Sequence, residues 1–162
     1  MLDKKTPLFA QTHDYVSIFP ARVLRHEPDV GLSTLFFAGG ELRVPLVDAA
    51  VGAAIEVEID ARDVSLALSR PMDVSILNRL PAEIVELDFL PPPFTRASLS
   101  LGGARIDALI THESVERLAL VEGLSAWAMI KAVAISGRTL DPDEAPFPRH
   151  WPSSDRTNRA RR

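Results

Sequence analysis

Thr111, Ser114 and Lys131 are side chains whose types and spacing suit the holding of an oxyanion. The run THESVERLAL (111–120) reads as a short helix. A helix start carries unpaired backbone N–H groups and a partial positive charge. Thr111 and Ser114, three positions apart, add neutral hydroxyl donors on one face. After a turn at Gly123, the apolar run SAWAMIKAVAIS delivers Lys131, a compact positive charge. Each residue alone has a plainer reading. Thr111 serves as an N-cap, Ser114 as an ordinary first-turn hydroxyl, and Lys131 as a lysine that keeps an edge strand from pairing with other chains. Only the set of three points to a ligand.

The elements that must position these groups come in two degenerate copies. One opens at Phe19 with FPARVLRHEPDVGLSTLFFAGGELRVPLV, the other at Leu80 with LPAEIVELDFLPPPFTRASLSLGGARIDALI. Each runs strand, loop, strand, Gly-Gly, strand, and the pairs Gly39-Gly40 and Gly102-Gly103 suit tight hairpin turns. The copies close with AAIEVEIDARDVSLAL and SAWAMIKAVAIS. In the first of these Ile55, Val57 and Ile59 alternate with Glu56, Glu58 and Asp60, as a strand with one wet face requires. The second copy alone carries the helix, with Thr111 as N-cap, Glu113 in the first turn, and Val115, Leu118 and Leu120 toward the core. Short strands with frequent turns predict an all-β protein with short helices: two tandem OB-like five-stranded barrels.

The expected boundaries are an N-terminal extension (1–14), a first, structural module (15–70), a second, oxyanion-binding module (71–137) and a disordered tail (138–162). Pro71-Met72-Asp73 marks the join, and Pro91-Pro92-Pro93 reads as an exposed hairpin loop. The tail is rich in proline and arginine and poor in apolar residues.

Composition narrows the function. A chain of 162 residues, 46% hydrophobic, can bury an ordinary core. The absence of cysteine excludes disulfides and thiolate chemistry. No run reaches the length of a membrane span and the start lacks a signal peptide, so a cytoplasmic protein without membrane insertion is expected. A net charge of −4 and 6% aromatics argue against a nucleic-acid binder. His13, His26, His112 and His150 have no metal-ligand spacing. His112 reads as an exposed first-turn histidine, able to face an anion when protonated. No nucleophile–base arrangement and no carboxylate pair points to catalysis.

Several short motifs then occur in a telling order. They are Ser75-Ile76-Leu77-Asn78 before a strand, Thr111-x-x-Ser114-Val115 on the helix, and Ile130-Lys131-Ala132 on the last strand. The second module resembles the molybdate-binding Mop, TOBE or molbindin family. The span from about Tyr15 to Ser136, with Ala61-Arg62-Asp63-Val64-Ser65-Leu66-Ala67-Leu68, resembles the tandem di-Mop module at the C-terminus of molybdate importer ATPases.

The resemblance implies a non-catalytic module that takes molybdate or tungstate at interfaces between copies, as a dimer or trimer, with no organic cofactor. By resemblance Ser75, Thr111 and Ser114 donate hydroxyl hydrogen bonds, Lys131 supplies charge, Ala132 supplies a backbone N–H, and Asn78 matches the family's asparagine. The family's Ser-Ala-Arg-Asn has Leu77 in place of its arginine here, with Arg79 as one possible substitute. Asp60 stands in the first module where Lys131 stands in the second. No G-x-x-x-x-G-K-[ST] phosphate loop occurs, which excludes ATP hydrolysis by that route. Two readings stay open: a free-standing oxyanion binder in molybdenum homeostasis or transport, and a regulatory or oligomerisation domain of a molybdate ABC importer that has lost or weakened binding.

Overall fold

The computed structural model describes residues 8–9, 15–141 and 143–144. His13, His150, most of the N-terminal extension and most of the expected tail lie outside the described residues. The strands are β1 (Val16–Glu27), β2 (Leu32–Phe37), β3 (Gly40–Pro45), β4 (Ala54–Asp60), β5 (Val64–Ala67), β6 (Asn78–Phe89), β7 (Phe94–Leu101), β8 (Ala104–Thr111), β9 (Ser125–Ile130) and β10 (Ser136–Thr139). Helix α1 (His112–Leu118) joins β8 to β9, and 3-10 turns occupy Pro28–Val30, Ala61–Asp63 and Ala132–Ala134. Arg138 and Thr139, the first residues assigned to the tail, belong to β10.

The strands form two curled five-stranded sheets, in the orders β10-β4-β1-β2-β3 and β5-β9-β6-β7-β8. These are the two OB-like barrels that the repeat predicts. Every pairing is antiparallel, and a register irregularity falls at the corresponding place in each long opening strand, after Val23 in β1 and after Ile84 in β6. Such a bulge bends a strand and raises its twist, which lets one strand serve both walls of a small barrel.

The barrels exchange their fifth strands. β5 leaves the first module and pairs with β9, setting Val64 opposite Ile130. β10 leaves the second module and pairs with β4, setting Gly137 opposite Val57. Each sheet is therefore completed by chain that follows the other module's body. One continuous apolar cluster spans both, from Phe19, Phe37 and Val57 to Leu99, Ile106 and Ile130. The Phe19 and Phe37 rings pack with centroids 4.9 Å apart.

The hairpin tips meet at the centre. The turn of the first hairpin is Ala38-Gly39, with Gly40 already in β3, whereas the second is Gly102-Gly103. The Gly-Gly pairs thus sit one position out of step. A Cβ on Gly39 would lie 2.9 Å from Cβ of Leu101, and one on Gly102 would lie 2.9 Å from the Ala38 carbonyl oxygen. These glycines permit a backbone approach that a side chain would block.

Where the second module has α1, the first has the loop 46–53. His26 pins this loop through Nε2 to the Ala49 carbonyl at 2.7 Å, and the Val47 N–H donates to Ser33 Oγ at 2.9 Å. A cavity of about 310 Å³ lies between this loop and β10, lined by Leu35, Val44, Ile55 and Val57.

Candidate functional site

Helix α1 starts as its sequence requires. Thr111, in extended conformation, is the N-cap and accepts the Ser114 N–H on Oγ1 at 3.1 Å. This satisfies one of the orphan donors of the first turn. The two hydroxyl oxygens lie 3.0 Å apart. They share one proton between them, which leaves the second O–H free to turn outward. Thr111 is exposed and Ser114 half-buried. The helix is anchored by Val115 and by Leu120 just beyond it, both buried. Full burial of such side chains contributes about 1.5–3 kcal/mol each. Leu118, expected to face the core, is 37% exposed; the helix ends there, the chain turns at Ala119 (φ 50°), and Leu120 is the residue that fills the core. That turn is closed by the Leu120 N–H to the Val115 carbonyl and the Ala119 N–H to Glu116.

His112 does not join the hydroxyls. Its Nε2 lies 3.1 Å from the Leu90 carbonyl, and its ring meets Phe89 edge-on at 5.4 Å. A half-buried side chain engaged with the β6–β7 loop replaces the exposed first-turn histidine of the sequence reading.

Lys131 leaves β9 as the N-cap position of the 3-10 turn Ala132–Ala134, in extended conformation and with no side-chain cap. Asp60 occupies the matching position before the 3-10 turn Ala61–Asp63. There the carboxylate accepts the Arg62 N–H at 2.8 Å and holds the Arg62 guanidinium at 2.7 Å. The guanidinium hydrogen bond keeps the Asp60 carboxyl below its ordinary range, with burial working the other way.

Lys131 lines a cavity of about 240 Å³ with Arg62, Asp63, Ser65, Ile76 and Met129. Strand exchange builds this cavity, since the β5–β9 pairing brings the turn 61–63 to the end of β9. Arg62, Asp63 and Ser65 were not picked out as ligands by the sequence reading. The signal that could have found them was the closing strand itself, had its change of sheet been foreseen.

The hydroxyl pair and the amine are separated within one chain. Lys131 follows Ile130, which faces Asn78 at the start of β6. Thr111 faces Phe94, beside Thr95, which faces Phe89 at the end of β6. The groups thus sit at opposite ends of a twelve-residue strand. Ser75 is exposed in the segment between β5 and β6, and Ala132 is buried beside Lys131. Asn78 is 3% exposed with both ends of its amide taken by the Arg43 backbone, so it faces the first module. Arg79 is directed to the Pro71 carbonyl at 3.0 Å. Among the described residues no cluster of histidine and carboxylate side chains could hold a metal ion, and no helix is long and apolar enough to cross a membrane.

Comparison with known families gives a direct match: residues 74–136 fit the family described as the TOBE domain. Over that span the chain is similar to a TOBE domain. Its match takes in Ser75, Asn78, Thr111, Ser114, Lys131 and Ala132, and it excludes β5, the strand that completes the TOBE sheet. Beyond the TOBE match, the chain is 41% identical over 121 residues to the molybdenum import ATP-binding protein ModC of Albidiferax ferrireducens, covering 75% of this chain and 33% of that protein. It is 38% identical over 127 residues to ModC of Aromatoleum aromaticum, covering 78% of this chain and 34% of that protein. The chain spans about a third of the length of these curated relatives. Among solved structures, the cytoplasmic molybdate-binding protein ModG, crystallised with molybdate bound, superimposes with a TM-score of 0.66 at 21% identity, covering 76% of this chain and 95% of that one. At that identity the likeness speaks for the fold.

Proposed function

We propose that this chain is a non-catalytic binding module for a tetrahedral dianion, molybdate or tungstate, acting in the cytoplasm in molybdenum homeostasis or transport beside a molybdate ABC importer. The observation that carries the reading is the outward-facing hydroxyl pair of Thr111 and Ser114, 3.0 Å apart, on a TOBE-like domain whose relatives are named for molybdenum import. Neutral hydroxyl and N–H donors bind an anion strongly without overcompensating its charge. No organic cofactor takes part.

The site is shared between copies. Thr111 and Ser114 of one copy face Lys131, the Ala132 N–H and Ser75 of another, because one chain holds these groups at opposite ends of β6. A homo-oligomer, dimer or trimer, follows. Titration calorimetry of the full chain with sodium molybdate tests the binding, and light scattering tests the assembly. Saturable heat from an oligomer is expected. A monomer that binds as well as an oligomer would overturn the shared site, and a Thr111→Ala, Ser114→Ala variant that binds like the parent would remove the hydroxyls from it.

A second reading has its own support. Leu77 stands where the family's arginine stands, and the match covers only about a third of an importer ATPase. On this reading the chain is a regulatory or oligomerisation domain with weakened binding. Assembly without heat of molybdate binding would favour it.

A further inference from the structure

We propose that Arg62, a residue of the first module, is the second cation of the oxyanion site at Lys131. This rests on the oxyanion reading above and adds to it a ligand from outside the TOBE match.

The geometry comes from strand exchange. Val64 pairs with Ile130 in antiparallel register, so the residues before Val64 run alongside those after Ile130. Arg62 and Asp63 are thereby carried to Lys131, and all three line the cavity of about 240 Å³. The position where the family's arginine would stand is Leu77, which is absent from this lining, and Arg79 is engaged with the Pro71 carbonyl. Lys131 and Arg62 are the cations that line the cavity.

Charge decides what the cavity can hold. Asp63 lines it too, so Lys131 against Asp63 alone leaves no net attraction for an anion. Arg62 tips the lining itself to positive, to the extent that its charge is not held by Asp60 just outside the cavity. Its planar fork also matches an oxyanion's geometry in a way that a lysine does not. Asp60 demonstrates the match: its carboxylate takes Nε at 3.1 Å and a terminal nitrogen at 2.7 Å. Asp60 is thus a built-in competitor for the same guanidinium, and an incoming dianion must draw Arg62 partly away from it.

The test is calorimetry with sodium molybdate on the full chain, comparing the parent with Arg62→Gln, Arg62→Lys, Lys131→Gln and Asp60→Asn, with thermal melts of each. Arg62→Gln is expected to weaken Kd by about tenfold or more, the worth of a charged hydrogen bond. Arg62→Lys should recover part of that. Asp60→Asn keeps the cap on the 3-10 turn and releases the guanidinium, so it is expected to tighten binding. If Arg62 mattered only as a strut through its ion pair, Asp60→Asn would weaken binding as Arg62→Gln does, and that result overturns the proposal. Loss of binding in Lys131→Gln with none in Arg62→Gln also overturns it, while leaving the oxyanion site standing. A parent that takes up no molybdate overturns both.

Discussion

Asn78 grips the peptide unit of Arg43 from both sides: its Oδ1 accepts the Arg43 N–H at 2.7 Å, and its Nδ2 donates to the Arg43 carbonyl at 2.8 Å. Ser17 makes the related contact in the other direction, accepting the Asp107 N–H on Oγ at 2.9 Å. Ser17 and Asn78 hold the same place in the repeat, two residues before Phe19-Pro20-Ala21 and Leu80-Pro81-Ala82. Arg43 and Asp107 likewise hold the same place in the third strand of each module. The modules are thus clasped by a pair of reciprocal side-chain-to-backbone bonds around a pseudo-two-fold axis.

Asn78→Ala removes both bonds and leaves the Arg43 N–H and carbonyl without these partners in a part-buried place. Each such group costs about 1–3 kcal/mol. A loss of several kcal/mol in denaturant unfolding is expected, with molybdate stoichiometry unchanged in protein that remains folded. A variant as stable as the parent would show that the clasp contributes nothing.

Strand exchange makes a second prediction. Cutting the chain between residues 70 and 71 separates β5 from β9 and β10 from β4. Each half then lacks its fifth strand and exposes apolar residues such as Val57 or Ile130, which are almost fully buried in the whole. Neither half is expected to give dispersed NMR spectra alone. Mixed, they should restore the parent spectrum. Halves that fold separately would contradict the shared core.

The hydroxyl pair separates capping from binding. Ser114 caps through its backbone N–H, and its hydroxyl bond to Thr111 is exposed to solvent, so Ser114→Ala should leave stability within about 0.5 kcal/mol and still weaken molybdate binding. Thr111→Ala should do both, losing about 1 kcal/mol of stability with the cap. Calorimetry and thermal melts on the two single variants check this. Equal stability loss in both would mean that Ser114 does more for the helix than the structure records.

These variants rest on features that the sequence made legible. Alternation along β4 and the cap at Thr111 are local signals, and each reads from a few neighbouring residues. Which sheet β5 joins is set by pairing with β9, some sixty positions later, and no local pattern encodes it. The Lys131 cavity was hidden for that reason, because Arg62 and Ser65 reach it only through the exchange. The inward turn of Asn78 was hidden too, since its partner, the Arg43 backbone, leaves no trace in side-chain identity. His112 misled because a histidine at a helix start commonly faces water. Here the Leu90 carbonyl and the Phe89 ring draw it inward.

The meeting of the hairpin tips gives a sharp steric test. A Cβ on Gly39 would lie 2.6 Å from the Phe37 ring and 2.9 Å from Leu101 Cβ. Phe37 and Leu101 are each 1% exposed, so neither has room to retreat. Gly39→Ala is expected to destabilise by about 1–3 kcal/mol, the usual cost of overpacking. Gly52→Ala serves as a control, since its added Cβ meets nothing within 4 Å although φ is +88°. If Gly52→Ala cost as much as Gly39→Ala in urea unfolding, strain at a positive φ rather than the contact between tips would govern the loss.

Acid should reveal the Asp60–Arg62 pair. Arg62 lowers the Asp60 pKa in the folded chain, first through its side-chain hydrogen bond. A lowered folded pKa means that the unfolded chain takes up a proton first as pH falls. The stability from this pair is therefore complete above the ordinary aspartate range and fades as pH drops through the depressed folded value. The Asp60 side chain is 23% exposed and that of Arg62 60%, so solvent screening keeps the effect modest. Urea midpoints of the parent and Asp60→Asn should differ most near neutrality and converge in strong acid. A gap that stays constant across that range would mean that the contribution of Asp60 comes from its neutral cap to the Arg62 N–H and not from its charge.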